Sequence, residues 1–403
     1  MPPDRSPLLH GGTTMKKPLA LLLALTLTLA LTACGSGGAD PSGSVSTGGN
    51  SLLLGVFEPT TTTDGTRETL GIQYAHSLRP TVTVGGVTYQ VILDVRDSQS
   101  GQSAAERLIS DGCVAVLGSC DADDCLAAAS TFADAQIPVL SPTCADSSVT
   151  LGNDYTFQAR WQEGFQGTLL ADWATAQEYQ EVATVSNLDD TYTSGLVAAF
   201  TARFEKNGGK IVAAETFQSD TTNFDTVLAN LKASGVKAVF APTDADAAVR
   251  LLNQAANQQL KVQWMAGDTW NTPALLENAG KNVEGVVVSC AYTAGVNAAF
   301  DQGFQAWLEA DPDRLEANGG DNSIAASQVL AYDAYNGMLD AMEAVGTLDG
   351  PAIRDALAEL EQPDAVSGAF SFDRNGNAVR STACLLTVKD GAFTLVDTIA
   401  LKK

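Results

Sequence analysis

Histidine is nearly absent from this chain: the 403 residues contain only His10 and His76. So few imidazoles leave no histidine cluster for zinc and little room for a Ser-His-Asp triad, although enzymes built on carboxylates or lysine are not excluded. Basic residues are also few, because 23 Lys and Arg stand against 47 Asp and Glu, for a formal net charge of −24. Phosphate backbones repel a chain this acidic, so nucleic acid is not an expected partner.

Long apolar runs are equally scarce, and the one that exists lies near the start. Residues 18–31 are uncharged and leucine-rich and follow two lysines. That length is typical of a signal-peptide hydrophobic region and short for a membrane span. The stretch ends in Leu-Thr-Ala-Cys-Gly at residues 31–35, which resembles the lipobox of bacterial lipoproteins. The resemblance implies that residues 1–33 are a leader, that Cys34 carries lipid, and that lipid alone tethers the mature chain to the cell membrane. The alternative is a plain signal peptide that contains a cysteine.

Six cysteines remain once Cys34 is set aside. An even number of cysteines in an exported chain indicates disulfides, but the spacing does not fix the pairing, and scattered buried thiols are the alternative. The six are Cys113, Cys120, Cys125, Cys144, Cys290 and Cys384.

The organisation of the chain changes at Ser51. Residues 34–50 are rich in Gly and Ser and predict a flexible tether. From Ser51 onward, short apolar strands alternate with amphipathic helices in two successive series, which predicts parallel sheets and two doubly wound α/β lobes. Ligands of such sheets bind beyond the carboxyl ends of the strands, so the loops that follow the strands are the segments in which to look for a site.

Several segments also carry a family resemblance, in the family's order. They read GVFEPTTTTDG, RLISDGCVAVLGSC, ADAQIPVLSPT, FQARWQEGFQG, WMAGDTW, LAYDAY and GAFSFDRNGN. From about Leu52 to the end, the chain resembles the solute-binding lipoproteins of ABC importers for branched-chain amino acids, which are type I periplasmic-binding proteins.

The resemblance implies a division of the chain into two lobes that clamp a small solute. The first lobe is expected at 51–163 and 292–378, and the second at 164–291 and 379–403. The implied function is capture of an amino acid or related small amine for an ABC permease, outside the cytoplasm, without catalysis, cofactor or metal. Two alternatives remain open: a sensor lipoprotein that feeds a receptor or kinase, and an extracellular enzyme that works with carboxylates.

The resemblance also implies ligand-binding residues in the second lobe. Asp268 matches the carboxylate that binds the solute's ammonium group, and it could instead cap the helix that follows. Tyr192 and Trp270 are expected to line the cleft, with a place in the core as the alternative for Trp270. Asp244 matches a position that faces the solute, or it caps the helix that begins at Ala245.

The first lobe departs from the family at the positions that bind the solute's carboxylate. The family's serine and threonine positions hold Ala122 and Ala145 here, with Thr143 and Cys144 beside them. Carboxylates follow neighbouring strands, and they make a poor receptor for an anion. We therefore expect a solute that is neutral overall or cationic.

Two of these first-lobe carboxylates and two cysteines complete the predicted site. Asp121 and Asp64 lie in loops expected to face the cleft, with a helix cap as the alternative for Asp121. A disulfide between Cys120 and Cys144 is expected to join the two cleft loops, and Cys120–Cys125 is its local alternative.

Overall fold

A computed structural model describes residues 50–161 and 164–401, which belong to one compact unit. The elements in chain order are β1 (Ser51–Glu58), α1 (Thr63–Leu78), β2 (Thr81–Val84), β3 (Val87–Asp97), α2 (Gln102–Asp111), β4 (Cys113–Gly118), α3 (Ala122–Asp134), β5 (Val139–Ser141), β6 (Thr156–Trp161), α4 (Gly164–Ala176), β7 (Glu181–Asn187), α5 (Thr191–Lys206), β8 (Lys210–Phe217), α6 (Asp225–Ser234), β9 (Ala238–Phe240), α7 (Ala245–Asn257), β10 (Gln263–Ala266), α8 (Pro273–Ala279), β11 (Val287–Cys290), α9 (Ala298–Glu309), α10 (Pro312–Ala317), α11 (Ala326–Val345), α12 (Gly350–Ala358), β12 (Glu361–Gln362), β13 (Phe370–Phe372), β14 (Asn377–Arg380), β15 (Thr382–Lys389) and β16 (Ala392–Ala400).

The strands form two mixed sheets, each the centre of one lobe. The first has nine strands in the order β12-β13-β14-β6-β5-β4-β1-β3-β2, and the second has seven in the order β16-β15-β11-β10-β9-β7-β8. Parallel pairing dominates both, and antiparallel strands lie toward the edges. This confirms the predicted α/β class with two lobes.

The central strands are apolar because helices cover both of their faces. β1 reads SLLLGVFE, and all but two of its residues are buried, as expected for a strand in the middle of a parallel sheet. α1 packs so closely on α11 that a Cβ on Gly71 would lie 2.2 Å from the carbonyl oxygen of Gln328. Only glycine fits there, and the close approach brings α1 and α11 together over the first sheet.

The chain passes from one sheet to the other three times: after Trp161, after Cys290 and after Arg380. Several elements of the first lobe were not predicted, among them β2, β6, α9 and α12. β6 reads TFQARW and alternates polar with apolar residues, as strands do. Within the described ranges, no helix has both the length and the apolar character needed to cross a bilayer.

Candidate functional site

An ion pair joins the two lobes at the carboxyl ends of their strands. Arg160, in β6 of the first sheet, donates a hydrogen bond from Nη2 to Oδ2 of Asp268, which follows β10 of the second sheet. Tyr192, in the first turn of α5, donates its hydroxyl to Oδ1 of the same carboxylate at 2.5 Å. The side chains of Arg160 and Asp268 are 24% and 20% exposed, so both charges are largely removed from water.

Mutual attraction keeps this pair ionised. Burial by itself raises the pKa of Asp268, but the Arg160 charge and the hydrogen bonds from Tyr192 and Gln166 outweigh it and leave the pKa below its usual value. Burial likewise opposes the charge on Arg160, yet the pKa of Arg160 is raised because Asp268 lies beside it. Burial, followed by the Asp268 charge, raises the pKa of Tyr192, so its hydroxyl remains a donor.

Gln166 holds the second-lobe side of the site in place. Its Nε2 donates to the Tyr192 hydroxyl at 3.0 Å, and its Oε1 accepts from the Asp268 backbone N–H at 3.0 Å and from the Ser289 hydroxyl at 2.8 Å. The side chain is fully buried in α4. Neither Gln166 nor Arg160 was singled out from the sequence.

The first-lobe side of the site contains two buried glutamates. Arg160 donates from Nη1 to the Thr143 carbonyl at 3.3 Å, and the Thr143 hydroxyl donates to Oε1 of Glu68. Glu58, the last residue of β1, accepts a hydrogen bond on Oε2 from the Cys120 N–H at 3.0 Å. Both glutamates are 0% exposed, and no described residue outside the pair donates to their other oxygens, Oε1 of Glu58 and Oε2 of Glu68.

Burial makes this pair hold a proton. It raises the pKa of Glu68 to about 8, against the smaller opposing effects of the hydrogen bonds from Thr143 and Glu58. Burial and then the charge of Glu68 raise the pKa of Glu58 well above its usual value. At neutral pH the two carboxyls therefore keep at least one proton between them.

The same pair and Cys120 are the described residues best placed to hold a metal ion. The carboxylate oxygens of the two glutamates and Sγ of Cys120 all lie within 4.8 Å of one another. Burial, then the charges of Glu68 and Glu58, raises the pKa of the Cys120 thiol, so the cluster offers no thiolate until a cation displaces its proton.

Three predicted carboxylates lie at helix starts. Asp244 is exposed and accepts the Ala247 N–H at 2.8 Å as the N-cap of α7, and Asp121 accepts the Asp124 N–H at 3.1 Å as the N-cap of α3. Asp64 is exposed in the first turn of α1. For Asp244 and Asp121 this is the capping role that the sequence left as the alternative.

Two other predicted residues lie away from the ion pair. Trp270 is 0% exposed in the core of the second lobe, and its Nε1 donates to the Thr243 hydroxyl at 3.3 Å. Trp270 thus occupies the core, which was the alternative to lining the cleft. Ala122 begins α3 and packs on a small buried cluster of Cys125, Cys144 and Val149. Cys34 lies outside the described residues.

The expected disulfide between Cys120 and Cys144 is not formed in this structure. The six cysteines of the described ranges are free thiols, and Cys144 lies against Cys125. Cys125 faces inward from the first turn of α3, whereas the backbone of Cys120 turns toward Glu58. The sequence placed both cysteines in the same loop but could not show which of them faces Cys144.

Known proteins share this architecture. The sequence profile of the periplasmic binding proteins matches residues 83–392. The Leu/Ile/Val-binding protein homolog 1 of Brucella abortus (strain 2308) is 25% identical over 286 residues, covering 70% of this chain and 74% of the relative. Homolog 2 of the same strain is 24% identical over 351 residues, covering 83% and 90%.

Solved structures show the same fold. A leucine-binding protein of Thermotoga maritima aligns with a TM-score of 0.68 and 24% identity, covering 87% of this chain and 99% of that one. A solute-binding protein of R. palustris in complex with 4-hydroxybenzoate aligns with a TM-score of 0.69 and 20% identity, covering 88% and 98%. Because the family profile spans most of the chain, the chain belongs to the periplasmic binding protein family.

Proposed function

We propose that this protein is the extracytoplasmic solute-binding component of an ABC importer and that it captures an amino acid between its lobes without chemical change. The relatives support the general role. The observation that carries the solute class is the ion pair between Arg160 and Asp268, because it places one buried charge of each sign on opposite walls of the cleft.

An amino acid can replace this ion pair with two pairs of its own. Its ammonium group binds Asp268 and the Tyr192 hydroxyl oxygen, and its carboxylate binds Arg160. Charge-assisted hydrogen bonds of this kind are about twice as strong as neutral ones. Arg160 thereby takes over the carboxylate-binding role that the family gives to hydroxyls at the positions of Ala122 and Ala145.

The same geometry discriminates against solutes with one charge. An amine without a carboxylate leaves Arg160 buried and unpaired, and a carboxylate without an amine leaves Asp268 in that state. An uncompensated buried charge is costly, so both kinds of solute should bind poorly. A second carboxylate on the solute would meet the Glu58–Glu68 pair, which disfavours dicarboxylates.

Calorimetry with a small set of solutes tests the proposal. We expect at least one zwitterionic amino acid to bind, and we expect its decarboxylated amine and its deaminated acid to bind at least about tenfold more weakly. A thermal-shift screen of the amino acids selects the solute for titration. Equal affinity for the amine alone, or no binding of any amino acid, would contradict the proposal.

A lipid anchor at Cys34 is part of the same proposal, supported by the signal-like sequence of residues 18–35. A Cys34→Ser protein should leave the membrane fraction because it lacks the acylated thiol. Mass spectrometry of the mature N-terminus supplies the direct measurement, and an unmodified start at another residue would refute the anchor.

A further inference from the structure

The first-lobe side of the site contains two acidic side chains, Glu58 and Glu68, that do not take part in the ion pair. Each of the two buried glutamates has one oxygen that accepts from Thr143 or Cys120 and one oxygen to which no described residue outside the pair donates. Arg160 does not neutralise them by contact, because its guanidinium bonds to Asp268 and to the Thr143 carbonyl. Two fully buried carboxyls thus lie near the ion pair, and Thr143 connects Arg160 to one of them, Glu68.

We infer that Glu58 and Glu68 form a subsite for a second, cationic group of the solute, so that the preferred amino acids are basic ones with an ammonium or guanidinium side chain. This inference rests on the proposed function, since the zwitterionic end of the solute must first be held by Arg160 and Asp268. The two free oxygens are the acceptors, and Thr143 and Cys120 keep them oriented. A cation entering there replaces the proton that the empty pair holds.

Lysine and norleucine separate the subsite from the rest of the cleft, because they differ only in the terminal ammonium group. Calorimetry on the wild-type protein should show L-lysine binding at least about tenfold tighter than L-norleucine. Glu68→Gln should abolish most of that preference for lysine over norleucine. Glu277→Gln, an exposed change on α8, is the control and should leave the preference intact.

The outcomes separate failure of the subsite from failure of the proposed function. If norleucine binds as tightly as lysine, or Glu68→Gln keeps the lysine preference, the subsite is refuted while the amino-acid cleft stands. Zinc chloride binding stoichiometrically to the wild-type protein and excluding lysine would also refute the subsite, because the cluster would then be a metal site. If no amino acid binds, the proposed function and the subsite fail together.

A separate observation concerns the thiols. In the antiparallel pairing of β11 with β15, Cys290 lies directly opposite Cys384. Cys125 and Cys144 pack together in a small buried cluster with Val149. The geometry points to two disulfides, Cys125–Cys144 and Cys290–Cys384, in the protein after export.

Each bond forms from two thiols with loss of two protons and two electrons. A disulfide oxidant such as oxidised glutathione accepts them and becomes two thiols. The Cys290–Cys384 bond would fasten together two of the three crossovers, because β11 ends and β15 begins beside them. The Cys125–Cys144 bond would join the first turn of α3 to the loop that follows β5, next to Thr143.

Non-reducing peptide mapping after treatment with oxidised glutathione tests the pairing. We expect both cross-linked peptide pairs, with Cys113 and Cys120 still alkylated by iodoacetamide. A Cys384→Ser protein should keep the first bond and leave Cys290 available to alkylation after denaturation. Any bond that involves Cys120, or thiols that all stay free, would refute the assignment.

Discussion

An Asp268→Ala protein should lose affinity for its amino acid by about 2–5 kcal/mol, the cost of truncating one partner of a buried, hydrogen-bonded charge pair. The loss has two parts. The solute's ammonium group loses its counter-ion, and Arg160 keeps a largely buried charge whose pair in the empty protein has also been removed. Calorimetry measures the effect, and an alanine variant that binds as tightly as the wild type would contradict it.

Asp244→Ala is the matched control for this change. Asp244 follows a strand of the same sheet, but its carboxylate caps α7 by accepting the Ala247 N–H. Its loss should lower the free energy of unfolding by about 0.5–2 kcal/mol and leave affinity unchanged. A similar loss of affinity in both variants would show that the second lobe responds to general destabilisation and that Asp268 has no specific role.

The second large effect is a dependence of stability on pH that belongs to Glu68. The pKa of Glu68 is raised to about 8 in the folded, empty protein, chiefly by burial, from 4.5. Between these values the native state binds more protons than the unfolded state. The free energy of unfolding should therefore fall as pH rises, by about 1.4 kcal/mol per pH unit for one proton.

A Glu68→Gln protein should lose the Glu68 part of this slope, because its amide stays neutral and keeps the Thr143 hydrogen bond, whereas burial still raises the pKa of Glu58. Glu58, Asp64, Cys144 and Arg160 also act on this carboxyl, so the informative quantity is the difference between variant and wild type. The variant should gain stability over wild type as pH rises from 5 to 8, measured by denaturant unfolding without solute. Parallel slopes in the two proteins would contradict the assignment, and Glu277→Gln supplies the surface control.

The sequence predicted the class of fold better than the contents of the cleft. Alternating strands and helices indicated two α/β lobes, and the family resemblance placed Asp268 and Tyr192 in loops that the structure does bring into contact. Glu58 fell in a loop that followed a predicted strand. Its burial against Glu68, however, depends on how α1 packs over β1, and no local pattern records that packing.

Arg160 was missed for a different reason. It lies in β6, which reads TFQARW, and this alternation indicates a strand without showing that one of its polar side chains reaches the other lobe. The sequence alone does not distinguish an arginine that contacts the other lobe from one that faces solvent. Asp121 and Asp244 show the converse: a short acidic side chain before a helix has the same sequence signature whether it caps the helix or faces a ligand.

The three crossovers have a consequence for the order in which the protein is made. Asn377 of β14 pairs with Gln158 of β6, and Cys384 of β15 pairs with Cys290 of β11. Each sheet is therefore incomplete until β14 and β15, which lie near the end of the chain, have been synthesised. Pairings so distant along the chain make folding slow. The fold of both lobes is therefore completed only after nearly the whole chain has been synthesised.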